Sequence, residues 1–358
     1  MPAPPPKPLL LRADNFTPPT RTPWGGRRIL AYKREAPLAP GPAAYGAVGE
    51  SWEISVEPDF PSVVADTGER LADVIARDPA ALVGEEAAAR AGGATLLVKL
   101  LDAADDLSLQ IHPTDDYPLL GPDESGKPES WYVLHAEEGA GLYLGLRRGV
   151  TEASLRQALA RGDGVRDRLF FVPVRPGDFF VIEAGTAHAI GGGVTLVEPQ
   201  RVRPGRHGVT YRYWDWHRRY DAEGRPDPQG TTRPLHLEHA LAVTDWTGPR
   251  EEALLDRIRC RPGPPDLDGP AGLEPLTEPG PVRSSALHVA RLGGTGTLTL
   301  PPEPRLRGLT VVEGAVRLRG GDFDVTVARG RSAALPAALG PLTAELSRAH
   351  AVLASAAA

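Results

Sequence analysis

Short apolar or alternating runs, each closed by glycine or proline, recur along almost the whole chain and constrain its fold more than any other feature. They include "TLLVKLLDA", "SWYVLHA", "GLYLGL", "LFFVPV", "DFFVIEAG" and "GVTLVEP". Such runs suit the strands of a β sandwich or barrel, because a strand crosses a sheet in a few residues and Gly or Pro then ends it. Two stretches break the pattern and read as helices. One is residues 68–93, split at Pro79; the other is residues 151–163, where Thr151 followed by Ser154 gives a partial capping signal. The expected class is all-β with helical insertions. Residues 261–285 hold seven prolines and no strand-like run, so they read as a linker or long surface loop. Beyond them "ALHVARL", "TGTLTL", "LTVVEGAVRLRG" and "FDVTVARG" form a second set of strands, with Glu313-Gly314 expected as the hairpin turn between Val312 and Val316. Only His288 and His350 occur there, without a carboxylate close to either, so this region is expected to be a smaller β-barrel lacking a metal site.

The stretch "LSLQIHPTDDYPLLGPDESGKPESWYVL" (107–134) carries the first chemistry. Side chains alternate along a strand, so Leu107, Leu109 and Ile111 share one face and Ser108, Gln110 and His112 the other. Gln110 and His112 then project about 7 Å apart and can grip one ion. In "KPESWYVL", Glu129 falls on the same side as Lys127 and Trp131. In "EAGTAHAIGGG", His188 stands where a strand leaves a turn, and the glycines suit a tight return. Three separate strands thus offer an amide oxygen, two imidazoles and a carboxylate. A mixed nitrogen and oxygen set of this kind suits zinc and other divalent transition metals, with a position left open for water or substrate. Taken singly each residue has a plainer role: a satisfied strand histidine, a surface glutamate, a histidine capping a turn.

Charge and cysteine usage narrow the alternatives. The net charge of −6 and pI near 5.9 argue against general binding to nucleic acid or an anionic membrane, since a basic footprint supplies most of that affinity. The single cysteine, Cys260, excludes an internal disulfide framework and a cysteine-rich zinc site. The apolar run Leu9 to Leu11 is far shorter than a signal-peptide core or a membrane span, so a cytoplasmic protein is expected. One region is locally basic: six arginines fall between Arg201 and Arg219, interleaved with Tyr211, Tyr213, Trp214 and Trp216. In an acidic protein this fits a pocket for one phosphate better than a track for single-stranded nucleic acid, with Arg218 and Arg219 equally readable as solvated surface.

The segments "TPWGG", "GESWEIS", "LLVKLLDAADDLSLQIHPTDD", "GKPESWYVL", "PGDFFVIEAGTAHAIGGGVTLVEPQ" and "TYRYWDW" occur in the order seen in type I phosphomannose isomerases, which are zinc-dependent cupins. The resemblance runs from about Trp24 to Trp246 and weakens beyond. It implies a cupin fold (a double-stranded β-helix or jelly-roll barrel) with helical insertions, a catalytic domain at 1–250, a Pro-rich linker or loop at 251–285, and a smaller C-terminal cupin-like barrel at 286–358. It further implies Gln110, His112, Glu129 and His188 as ligands of one Zn2+ per chain, another divalent metal being an alternative. The expected reaction interconverts mannose 6-phosphate and fructose 6-phosphate through a cis-enediol. The matching catalytic arginine is either Arg206, four residues before Thr210, or Arg212; the Ser-Asp pair of short bacterial relatives is replaced by "RVRPG". Lys127 is expected to touch a substrate oxygen or transfer a proton, and Ser108 and Arg206 to bind the substrate. A metal-bound water, Lys127 and a carboxylate all stay open as general base. The competing readings are a different metal-dependent cupin, either another phosphosugar isomerase or an oxygenase, and a sugar-binding cupin without catalysis.

Overall fold

The eight residues Leu96–Ala103 are buried at every position, which a strand can afford only in a sheet covered on both faces. In the computed structural model, which describes residues 6–34 and 46–358, this strand lies inside a six-stranded sheet. Its order is Arg259–Cys260, Phe179–Ile182, Glu129–Ala136, Val194–Arg201, Leu96–Ala103 and Glu50–Ile54, every pairing antiparallel. A second, five-stranded sheet runs Tyr211–Trp214, Leu109–Ile111, His188–Ile190, Gly141–Leu146 and Leu169–Pro173. One core cluster joins the facing sides of the two: Trp131, Val133, Phe180 and Leu196 of the first meet Leu142, Leu144 and Ile190 of the second.

The outer face of each sheet is covered as well. Leu109, Ile111, Tyr211 and Tyr213 pack on Leu155 and Ala158 of the helix Glu152–Arg161. That helix has a complete capping box, Thr151 and Ser154 each bonding the other's backbone N–H, so the signal expected to be partial is whole. The back of the six-stranded sheet packs through Val98, Leu100, Tyr132 and Val197 against Leu287, Val289, Val352 and Ala354 of the C-terminal strands, in a cluster that is extended by Leu71, Ile75, Val83 and Ala87. Those come from three short helices, Leu71–Arg77, Pro79–Val83 and Glu85–Arg90. The break expected at Pro79 is present, with Asp78 capping the second helix; another falls at Gly84, whose φ of +93° and contact with the Pro304 carbonyl exclude a side chain there.

The C-terminal strands form a seven-stranded sheet that recruits Leu9–Leu10 and Gly272–Pro275 as well as residues beyond 286. The stretch 251–285, expected as linker or loop, therefore differs from expectation in part: Glu252–Ile258 is a helix with Leu254 and Leu255 buried, and Gly272–Pro275 pairs with Ala290–Gly293. Its prolines suit an edge, where one side of the strand needs no ladder donor. Glu313-Gly314 is no hairpin turn. The strand Arg307–Gly320 continues through it, and Gly314, at φ +64°, makes an irregularity against Ser347–His350 because a Cβ would strike the Arg348 carbonyl. Among the described residues no helix is long and apolar enough to cross a membrane.

Candidate active site

The space between the six- and five-stranded sheets is apolar at one end and polar at the other. Strand alternation explains the change: on the inner face of the first sheet Leu101, Leu196 and Val133 give way, two residues along, to Lys99, Glu198 and Trp131, then to Gln200 and Glu129. On the facing sheet Gln110 pairs directly with His188. Leu109 and Ile111 anchor their strand in the opposite core, so Ser108, Gln110 and His112 are turned toward the polar end.

His112, Glu129 and His188 meet there, all buried, with candidate ligand atoms within 4.8 Å of one another. Glu129 lies between the rings, Oε2 3.3 Å from His112 Nε2 and Oε1 3.3 Å from His188 Nε2. Each imidazole is oriented from behind: His112 Nδ1 donates to the Val209 carbonyl and His188 Nδ1 to the Thr186 carbonyl, both at 2.8 Å. In the neutral tautomer these bonds leave Nε2 as a lone pair aimed at the carboxylate. Burial and the Lys127 charge pull the His112 pKa down to about 3, so this ring is neutral. Two ring nitrogens and a carboxylate crowded at one dry point repel unless a cation joins them. Among the described residues His112 Nε2 and Glu129 Oε1 accordingly have no hydrogen-bond partner. The Gln110 amide reaches the same point, 3.4 Å from His188 Nε2. The donor set, burial and orphaned atoms fit a divalent metal.

Beside this cluster lies a cleft of about 120 Å³. Ser108, Gln110 and Lys127 line it, and Lys127 Nζ stands 3.5 Å from Glu129 Oε2. Trp131 packs edge-on against His188, its indole nitrogen donating to Glu198 at 2.9 Å. Of the two candidate arginines only Arg212 lines the cleft. Arg206 lies outside that lining, its guanidinium donating to the Glu124 carbonyl at 3.3 Å. The reason is local: Arg212 lies in a strand paired with Gln110, whereas Arg206 lies in the turn before the short strand His207–Gly208. His236 holds Arg212 in place, its N–H donating to the Arg212 carbonyl at 2.8 Å and its Nδ1 accepting from the Arg212 N–H at 3.3 Å.

Several cleft residues were not singled out from the sequence. Glu198 is wholly enclosed; burial and the neighbouring Glu129 carboxylate raise its pKa far above the usual carboxylate range. Lys99 lies 4.0 Å over the Trp52 ring and 3.7 Å from Glu50. Despite burial, Lys99 and Arg21 hold Glu50 below its ordinary pKa. Arg233 is fixed by two bonds to Asp215, each 2.7 Å. A signal existed for two of these: Lys99 interrupts "LLVKLL", and Glu198 directly follows "GVTLV". Charges in runs so apolar are costly without a purpose.

The model of the type I phosphomannose isomerase catalytic domain matches residues 20–137. The chain is 36% identical to a mannose-6-phosphate isomerase of Streptococcus mutans over 225 residues, 62% of this chain and 63% of that protein, so the match spans somewhat less than two thirds of the relative. It is 30% identical to the mannose-6-phosphate isomerase ManA of Bacillus subtilis over 251 residues, 70% of this chain and 71% of that one. In fold it is similar to the crystal structure of the Bacillus subtilis mannose 6-phosphate isomerase, with a TM-score of 0.75, 23% identity and coverage of 97% and 99% of the two chains. A structure from Archaeoglobus fulgidus described as a putative mannosephosphate isomerase gives a TM-score of 0.72 at 22% identity, covering 99% of each. With its polar cleft lined by the same motifs that carried the resemblance, the chain belongs to the type I phosphomannose isomerase family.

Proposed function

We propose that the cleft interconverts mannose 6-phosphate and fructose 6-phosphate, with one zinc ion held by Gln110, His112, Glu129 and His188. The observation that carries this is the buried cluster of two oriented imidazoles and a carboxylate beside a cleft rich in cations, which Gln110 and Lys127 also line. When bound, the ion polarises the substrate oxygens and offsets the negative charge that builds as C1 and C2 exchange a proton.

The chain's own groups supply the rest. Arg21, Lys99, Lys127, Arg212 and Arg233 line the cleft against Glu50, Glu57 and Glu198, leaving positive charge for a phosphate dianion. Arg212, fixed through its backbone by His236, is placed to support the enediolate oxygens. Glu198 keeps a proton through burial beside Glu129, and with Lys127 it is suited to proton exchange between substrate atoms. Ser108 offers a hydroxyl on the same wall. All of these residues fall between Arg21 and Arg233, inside the 1–250 span assigned to catalysis.

The test is direct. The purified protein is assayed for metal content and for conversion of mannose 6-phosphate with and without chelator. Turnover is expected to vanish with chelation and return with Zn2+. A zinc-loaded sample that converts no mannose 6-phosphate sinks the proposal, and turnover indifferent to chelator sinks the metal's part in it.

A further inference from the structure

A second cavity, of about 250 Å³, lies in the C-terminal part of the chain, bounded by the strands Leu287–Leu300, Arg307–Gly320 and Leu342–Ala356. Much of its wall is apolar, from Leu273, Pro275 and Leu353. Arg307 also lines it, and is 2% exposed. Its Nη1 donates to the Pro301 carbonyl at 2.9 Å, but Nε and Nη2 have no partner among the described residues. The acid beside it, Glu303, is engaged elsewhere: it accepts from Ser355 at 2.7 Å and faces Arg305 at 3.6 Å. A guanidinium stripped of water and left with two idle donors is costly unless an anion joins it.

The register makes this an assembled wall rather than a stray side chain. Ser355 pairs directly with Arg307 on one side and with His288 on the other, so guanidinium, hydroxyl and imidazole stand in a row across three strands. One cation with two idle donors, and with Glu303 close by, matches a single negative charge better than a phosphate dianion. The apolar wall asks for a hydrocarbon portion behind that charge.

We propose that this cavity binds a small organic carboxylate, its anionic group on Arg307 and its apolar part against Leu273, Pro275 and Leu353. The site is separate from the cleft and independent of the isomerase reading. The full-length protein is titrated with acetate, butyrate and benzoate by calorimetry and by thermal unfolding. Butyrate or benzoate is expected to bind one site per chain and raise the Tm, and Arg212→Met, in the cleft, leaves that binding intact. Arg307→Met and the cavity-filling Ala290→Leu each weaken it roughly tenfold or more. Without ligand, Arg307→Met melts at or above the wild-type temperature, because it removes a buried charge that nothing balances. The proposal is overturned if none of the three carboxylates binds at about 10 mM, or if binding survives Arg307→Met. It is equally overturned if Arg212→Met abolishes binding, which puts the ligand in the cleft, or if Arg307→Met melts several degrees lower, the mark of a purely structural arginine.

Discussion

Replacing Arg212 and Arg206 singly by methionine separates two guanidinium groups that the sequence leaves equivalent. Arg212 lines the cleft, and burial and the nearby Arg233 lower its pKa, so its charge is poorly screened by water. A unit charge about 4 Å from a developing oxyanion is worth about 4 kcal/mol at an effective dielectric near 20. That corresponds to a factor of about 10³ in rate. Some of it is recovered by the other cleft cations, so Arg212→Met is expected to lower kcat about 10²- to 10³-fold, with a smaller change in KM. Arg212→Lys keeps the charge but shortens its reach and loses the planar fork, and should fall between. Arg206 donates to a backbone carbonyl outside the cleft, and Arg206→Met should stay within about threefold of wild type. The assay couples fructose 6-phosphate formation to a chromogenic step at saturating and limiting substrate, with thermal unfolding as the check that each variant folds. Equal losses in both variants, or a larger loss in Arg206→Met, would refute the assignment. A pure KM effect in Arg212→Met would show that it binds substrate without stabilising the transition state.

Two further perturbations test what holds the cleft together. Lys33 and Glu53 form a fully buried ion pair at 2.7 Å, and Ser332 of the C-terminal sheet donates to the same carboxylate; Lys33→Met should cost about 3–5 kcal/mol in denaturant unfolding, and adding Glu53→Gln should recover most of it. Asp215 gathers Arg218 and Arg233, whose charges outweigh its burial and keep its pKa below the ordinary carboxylate value. A depressed folded pKa gives stability that is present above the unfolded pKa near 3.9 and lost as pH falls through the folded one. Asp215→Asn should therefore destabilise at pH 7, and its deficit should shrink below about pH 4; a deficit unchanged at low pH would show that the carboxylate charge is not what matters.

The candidate metal cluster was readable because strand alternation converts sequence spacing into shared faces. Gln110 with His112, and Lys127 with Glu129, needed only the period of two, and the motif resemblance joined them to His188 from a distant strand. Glu198 and Lys99 escaped notice because a charge inside an apolar run does not announce which sheet face it occupies, or what faces it. Glu313-Gly314 misled for a related reason: a glycine at positive φ serves a hairpin turn and a bulge equally, and only the partner strand tells them apart.

By itself the sequence determined that this chain builds short strands of a β sandwich or barrel with few helices, since apolar runs cut by Gly and Pro leave no other compact way to hide their side chains. It also determined the chemistry of the candidate ligand set, which depends on residue type and short spacing. Only the tertiary structure decided which arginine shares the cleft, because Arg206 and Arg212 are six residues apart and differ solely in what their backbones pair with. It alone revealed Arg307 as a buried cation with two donors unpaired among the described residues, since a side chain's partners across three strands are set by register, a property that no local run of residues contains.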